Sequence, residues 1–398
     1  MDPQLRQILA HLLAADTVSH KGNLGLMEWM AGLLEDSGFR TALQPSGEGE
    51  TAKANLVAWA GPPEPGGVVL SGHADVVPFA DQPGWTREPL ALALEGDRAY
   101  GRGTSDMKGF LALCLDAACR LEPASLRKPV VFLFTCDEEV GCRGAERLVP
   151  VLRELLGDFP LPRLGWIGEP TSWRLFHAHK GIVEFGVTAR GRGGHSGVPE
   201  AGVNAIAVAA RAVSAIGALQ EELRRRGSAR DAADFPDSPY TTLNFGTIAG
   251  GTASNMIAER CRFSVSYRPL PGEDPHAVHR EVGERLAGLE ARDFGSPDLR
   301  GALELGEPLF VAPGMRTARG SELEKVLAEA LATGESGGAP YCTDGGHFAA
   351  ADVACLVCGP GDLDQAHQPD ESIRLDALER GRELVPRVLE GLCGAAPR

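Results

Sequence analysis

Five short segments carry residues that can bind a metal or move a proton. His73 and Asp75 end Ser71-Gly72-His73-Ala74-Asp75, directly after the apolar Val68-Val69-Leu70. Asp106 follows Gly101-Arg102-Gly103, Glu138 and Glu139 form an acidic turn after Val130–Thr135, and Glu169 follows Leu164–Ile167. His367 lies in Gln365-Ala366-His367-Gln368-Pro369, beyond Ala354–Val357. Imidazole nitrogens and carboxylate oxygens without thiolate make a donor set suited to zinc, cobalt or manganese. Each residue alone has an ordinary structural reading. Asp106 can be the acid that a helix N-terminus favours, Glu138–Glu139 a solvated turn, Glu169 an exposed residue before Pro170, and His73 or His367 a hydrogen-bonded core histidine. Their coincidence at strand ends, where an open α/β sheet binds ligands, together with the local sequence around each, shifts the balance toward a site.

The elements that must position them alternate. Helical periodicity covers Asp2–Ala14 and Asn23–Ser37, with Gly38 as a helix stop. Thr104 or Ser105 is placed to cap a helix from about Asp106 to Leu121, and Ser321–Ala332 and Ala377–Leu392 are helical. With the four apolar strands named above, this is an α/β domain built from residues 1–180 and 306–398. Residues 181–305 read differently. Ile182–Arg190, Thr241–Ile248, Arg260–Arg268 and a weaker Leu299–Leu305 are strands, and Val203–Arg226 and Asp274–Leu289 are helices. The order βαββαβ is a ferredoxin-like unit, here an inserted domain. Gly227–Pro239 is expected to be its flexible loop.

Composition narrows the function. Of 398 residues, 43% are apolar and 23% charged, and the net charge is 39 − 54 = −15. Such acidity argues against a nucleic-acid binder or a protein docked on an anionic membrane. No apolar run reaches the ~18 residues of a membrane span. Met1-Asp2-Pro3-Gln4 does not read as a leader, and the nine cysteines show no disulfide framework. A cytoplasmic protein with reduced thiols is expected. Cys355-x-x-Cys358 sits in an apolar strand and reads as core, and Gly191-x-Gly193-Gly194 lacks the dinucleotide fingerprint. Gly334-Glu335-Ser336-Gly337-Gly338 follows a helix rather than the strand a serine nucleophile requires.

The local sequences also resemble a known family. Ser71-Gly72-His73-Ala74-Asp75-Val76-Val77-Pro78, Gly101-Arg102-Gly103-Thr104-Ser105-Asp106-Met107-Lys108-Gly109, Asp137-Glu138-Glu139-Val140-Gly141 and Gly168-Glu169-Pro170-Thr171 are similar, in order, to four motifs of the zinc-dependent aminoacylase/carboxypeptidase family. Gly193-Gly194-His195-Ser196-Gly197 resembles the histidine segment of that family's lid. The resemblance implies a zinc-peptidase-like α/β/α catalytic domain with the ferredoxin-like insert as lid and dimerisation domain. It implies two zinc ions per subunit, with cobalt or manganese as substitutes. Asp106 would bridge them, His73 and Glu169 would complete one site, and Glu139 and His367 the other. Glu138 would be the general base. Asp75, two residues from His73 on the same strand face, would orient its imidazole. A cis peptide would follow the bridging acid, at Asp106–Met107.

The same resemblance implies a small-molecule N-acyl amino acid as substrate and a homodimer in which His195 crosses the interface to meet the oxyanion. Arg268 would hold the substrate's α-carboxylate, Asn255 would add a polar contact, and Gly345 and Gly346 would line the pocket. Ala178-His179-Lys180-Gly181, Gly202-Val203-Asn204-Ala205-Ile206, Arg268-Pro269-Leu270-Pro271-Gly272 and Gln365–Glu371 point within the family to deacetylation of N2-acetylornithine. Desuccinylation of succinyl-diaminopimelate, deacetylation of N-acetylcitrulline and dipeptide cleavage are the alternatives. Asp344-Gly345-Gly346-His347 departs from the Thr-Glu-Ala type of sequence usual in the family's deacetylases, which makes Asp344 a candidate for recognising a distal amine. A non-catalytic metal or amino-acid binding protein is disfavoured, because Glu138 and all five ligands are present.

Overall fold

Val68–His73 and Val130–Thr135 are buried at every position, and Leu164–Ile167 at nearly every one. Strands covered on both faces belong in the middle of a parallel sheet. In the computed structural model, which describes residues 1–293, 302–334 and 336–394, Val68–His73 lies between the other two and parallel to both. Ala354–Val357 joins parallel to Leu164–Ile167. All four therefore release their chains at one rim. Arg40–Ser46 and Lys53–Ala60 extend the sheet as an antiparallel hairpin. The outer strand is half-exposed along its length, and its sequence lacks the apolar run that marks the central strands.

Helices Pro3–Ala14, Leu24–Asp36, Lys108–Arg120, Glu322–Leu331 and Leu375–Cys393 share one apolar core with this sheet. Asp2 caps the first, its Oδ1 accepting from the Gln4 N–H at 2.9 Å. Neither Thr104 nor Ser105 caps Lys108–Arg120. Their hydroxyls donate instead to the carbonyls of Gly101 (2.8 Å) and Asp362 (2.9 Å), which fixes the loop ahead of the helix. The Asp106–Met107 peptide in that loop is cis. At Gly168 a Cβ would stand 1.9 Å from the Phe110 ring, so only glycine lets the strand end pass this helix on its way to Glu169.

The chain divides into two compact units: Met1–Ala178, Met315–Gly337 and Thr343–Arg398 form one, His179–Gly314 and Gly338–Cys342 the other. The return to the first unit falls at Met315 rather than 306, because Phe310–Ala312 pairs with Ile182–Arg190 and prolongs the insert's own sheet. In the second unit Thr242–Gly250, Arg260–Arg268, Ile182–Arg190 and Leu303–Leu305 form an antiparallel sheet in that spatial order, with helices Ala205–Arg224 and Ala277–Asp293 between strands in sequence. This is the βαββαβ unit. Alternate residues Val183, Phe185, Val187 and Ala189 join Val208, Ala212, Ile216 and Leu219 in its core. Residues 299–301 of the expected last strand lie outside the described residues. Gly227–Pro239 is not an open loop: Ala229–Asp234 is helical, started by a capping box between Ser228 and Asp231. No described helix is long and apolar enough to cross a membrane.

Candidate metal centre

His73 is the last residue of its strand. Its Nδ1 lies 2.9 Å from the main-chain carbonyl of Asp75, which leaves Nε2 facing Asp106 Oδ1 at 3.1 Å. The expected role of the Asp75 carboxylate needs correction. Its Oδ1 is 3.7 Å from His73 Nδ1, and the carboxylate accepts instead from the N–H groups of Glu138 (3.1 Å) and Glu139 (3.3 Å) and from the Ser19 hydroxyl (2.7 Å). The carbonyl orients the imidazole, and the carboxylate holds the acidic turn. Asp137 enters that turn with φ 58°, and its own carboxylate pairs with Lys53 and Arg147.

Glu138, Glu139 and Glu169 follow strand ends, whereas Asp106 and His367 come from loops. His367, at φ 63°, brings Nε2 to 3.3 Å from Asp106 Oδ2 and 3.0 Å from Glu139 Oε2. Glu169 Oε2 and Glu138 Oε2 each lie 3.9 Å from His73 Nε2. The two imidazoles thus address different oxygens of one carboxylate, Asp106. His73, Asp106 and Glu139 place one ligand atom each within 4.8 Å of one another, as do His73, Glu138 and Glu169.

The electrostatics call for a cation. The side chains of Asp106, Glu138, Glu139 and Glu169 are only 8–11% exposed. Among the described residues no Lys or Arg pairs with any of them. Burial, then the neighbouring carboxylates, holds Glu138 and Glu169 well above the usual carboxyl range and Glu139 at about 7. Burial also disfavours the Asp106 carboxylate, but hydrogen bonds from His367 and His73 overcome it and hold that group below its ordinary value. The same contacts with Asp106 and Glu139 push His367 to about 10. Four crowded buried carboxylates with only two imidazoles and no Lys or Arg to offset them are costly, and divalent cations bound by oxygen and imidazole nitrogen fit this donor set.

The remaining expected residues lie elsewhere. Gly345 and Gly346 are buried at the start of the short helix Gly345–Ala350, where the Gly345 N–H donates to Thr343 Oγ1 at 3.0 Å. Asp344 is 2% exposed, and its Oδ2 accepts from the Thr135 hydroxyl at 2.6 Å. Its Oδ1 is buried and has no hydrogen-bond partner among the described residues. Asp344 groups with Glu138 and Cys142, a residue that the sequence reading left out.

His195, Asn255 and Arg268 belong to the second unit. His195 is exposed in a two-residue ladder with Met256, and the Ser196 N–H donates to the Asn255 carbonyl at 3.1 Å, so this ribbon brings His195 and Asn255 together. Arg268 closes its strand opposite Thr242, and among the described residues no carboxylate pairs with it.

Comparison with known proteins agrees with this architecture. Residues 177–293 match a peptidase dimerisation domain, and residues 302–391 match peptidase family M20/M25/M40. The chain is 36% identical over 392 residues to an acetylornithine deacetylase of Erwinia tasmaniensis, covering 98% of this chain and 96% of that protein. A metallo-carboxypeptidase of Sulfolobus solfataricus shares the fold, with a TM-score of 0.73 at 17% identity over 98% of this chain and 99% of that one. A dinuclear metal binding peptidase of Bacillus subtilis does so with a TM-score of 0.62 at 15% identity over 96% of each chain.

Proposed function

This chain belongs to peptidase family M20/M25/M40, metal-dependent hydrolases of amide bonds, and from that premise we propose that it removes the acetyl group from N2-acetyl-L-ornithine to give ornithine and acetate. One observation carries the reaction class: His73 and His367 meet opposite oxygens of Asp106, with Glu139 and Glu169 beside them. In this reading Asp106 would be shared between two divalent cations, His73 and Glu169 would hold one, and Glu139 and His367 would hold the other. When bound, the cations (zinc, with cobalt or manganese as substitutes) polarise the amide carbonyl and lower the pKa of an attacking water. Glu138 takes the proton from that water and returns it to the ornithine nitrogen as the C–N bond breaks. Asp75 positions Glu138 through its main-chain N–H.

The second unit supplies substrate contacts. Arg268, a guanidinium without a carboxylate partner among the described residues, binds the substrate's α-carboxylate, and Asn255 adds a polar contact. His195 donates to the developing oxyanion from the other subunit of a homodimer. The dimerisation-domain match supports that assembly, as does the edge strand Thr242–Gly250, exposed from Gly246 to Gly250 with Ile248 at 60%. Gly345 and Gly346 contribute backbone groups to the pocket. The substrate itself rests on the named relative, and ornithine as product would fit a role in arginine biosynthesis. The nine cysteines, with no disulfide among the described residues, fit a reducing cytoplasm.

The test is hydrolysis by zinc-loaded protein of N-acetylornithine beside N-succinyl-diaminopimelate, N-acetylcitrulline and a dipeptide, with Glu138→Ala as control. Preferred turnover of N-acetylornithine, lost in the variant, is the expected result. Preference for another member of the panel would overturn the substrate, and metal-independent turnover would overturn the mechanism.

A further inference from the structure

Asp106 and His367 are 261 residues apart, and both sit in loops rather than on strands. Something must hold those two loops together if the carboxylate and the imidazole are to meet. Glu371, four residues beyond His367, is 1% exposed. Its Oε1 accepts from the main-chain N–H groups of Ser105 (2.9 Å) and Asp106 (3.0 Å). Its Oε2 accepts from the Gly103 N–H (3.0 Å) and from Arg102 Nη1 (2.8 Å). Its own carbonyl accepts from the Gly101 N–H at 2.9 Å. One side chain therefore occupies three backbone donors of the loop that carries Asp106.

The contact closes into a ring. Arg102 uses Nη2 to donate to Gln82 Oε1, and Gln82 Nε2 donates to the carbonyl of His367 at 2.6 Å. Arg102 Nη1 also reaches the Gln368 carbonyl at 3.3 Å. Glu371 and Arg102 thus touch the backbone on both sides, at Asp106 and next to His367, without facing the cation sites. A buried Arg–Glu pair is a poor device for stability alone, since a well-packed apolar pair often does as well.

We propose that Glu371 is a positioning residue, which together with Arg102 sets the Asp106 carboxylate at the spacing from His367 that cation binding requires. The proposal rests on the reading of Asp106 and His367 as ligands. It extends that reading to a residue that touches neither cation nor substrate. Glu371→Gln keeps size and one acceptor oxygen, but turns an amide N–H₂ toward donors.

The experiment titrates metal-free full-length protein with Co²⁺, followed by visible absorption and calorimetry, beside thermal unfolding of the metal-free protein and separate kcat and KM values. For Glu371→Gln the expected result is a cobalt affinity weaker by about 10- to 100-fold, an altered cobalt spectrum, and a kcat that falls more than KM rises. Lower thermal stability with affinity, spectrum and kcat unchanged would overturn the proposal. If Glu371→Gln does not fold, Arg102→Lys decides. That variant keeps the charge and breaks the link to Gln82, so a weakened cobalt spectrum supports the proposal and an unchanged one overturns it. Failure of the unaltered protein to bind cobalt would instead remove the ligand reading on which the proposal stands.

Discussion

The two units treat their functional side chains in opposite ways. In the first, His73, Asp106, Glu138, Glu139 and Glu169 are almost shut off from water, each held by a strand end, a backbone N–H or a neighbour's carbonyl, and only His367 is exposed, at 51%. In the second, His195 and Asn255 are exposed on a two-residue ladder, and Arg268 has no carboxylate partner among the described residues. The contrast follows from what each must meet. On the proposed reading, cations have fixed ligand geometry, so their site is assembled in advance and its electrostatic cost is borne by the fold. On the same reading a substrate's carboxylate and oxyanion arrive only with the substrate, so Arg268 has no carboxylate partner among the described residues and His195 engages only Nδ1, which accepts from the Gly197 N–H at 3.0 Å.

Four changes would break or sharpen that contrast. The largest effect is expected at the assembled rim. Glu138→Ala should cut kcat by roughly 10²- to 10⁴-fold while retaining bound metal, measured by steady-state kinetics beside metal content. Loss of the metal as well would make Glu138 a ligand rather than a base. Next, His195→Ala should lose about 10²- to 10³-fold in kcat, as when an oxyanion donor is removed, with metal content unchanged. Mixing it with Glu138→Ala subunits under exchange should restore about a quarter of the unaltered activity if each site draws His195 across a two-fold interface. No recovery would return His195 to its own subunit.

Arg268→Met should act on binding, raising KM about 10- to 100-fold with a smaller change in kcat, as for loss of a charge-assisted hydrogen bond. The smallest effect concerns pH. Burial holds His347 at about 4, and its Nε2 has no hydrogen-bond partner among the described residues. Because the unfolded chain titrates this histidine near 6.5, it binds more protons than the folded one between pH 6.5 and 4. Stability is therefore lost as pH falls through that window. His347→Gln should flatten the loss by at most about 3 kcal/mol, seen as a smaller drop in the melting of the first unit. An unchanged pH dependence would show that the imidazole finds a partner in solution.

Much of the rim is legible in the amino-acid order, because short apolar strands followed at once by His or acidic residues mark where a parallel sheet puts its ligands. The ferredoxin-like insert is legible for a related reason: alternation in Ile182–Arg190 and Arg260–Arg268 differs from the unbroken apolar runs of the first unit. What escapes is whatever depends on contacts between distant segments. Asp75 two residues from His73 suggests a carboxylate–imidazole pair, yet its oxygens are taken by the Glu138 and Glu139 N–H groups, a contact no local spacing encodes. Glu371 enters the sequence reading only as the end of Gln365–Glu371, and nothing local shows that the N–H groups of Gly103, Ser105 and Asp106 converge on it. The hairpin Arg40–Ser46 is equally hidden, since an edge strand needs few apolar residues.

The most direct test is a crystal structure of zinc-loaded protein with anomalous scattering recorded at the zinc edge. Two peaks are predicted on either side of Asp106, one against His73 and Glu169 and the other against Glu139 and His367. A single peak lodged among Glu138, Cys142 and Asp344, or none on this rim, would contradict the account.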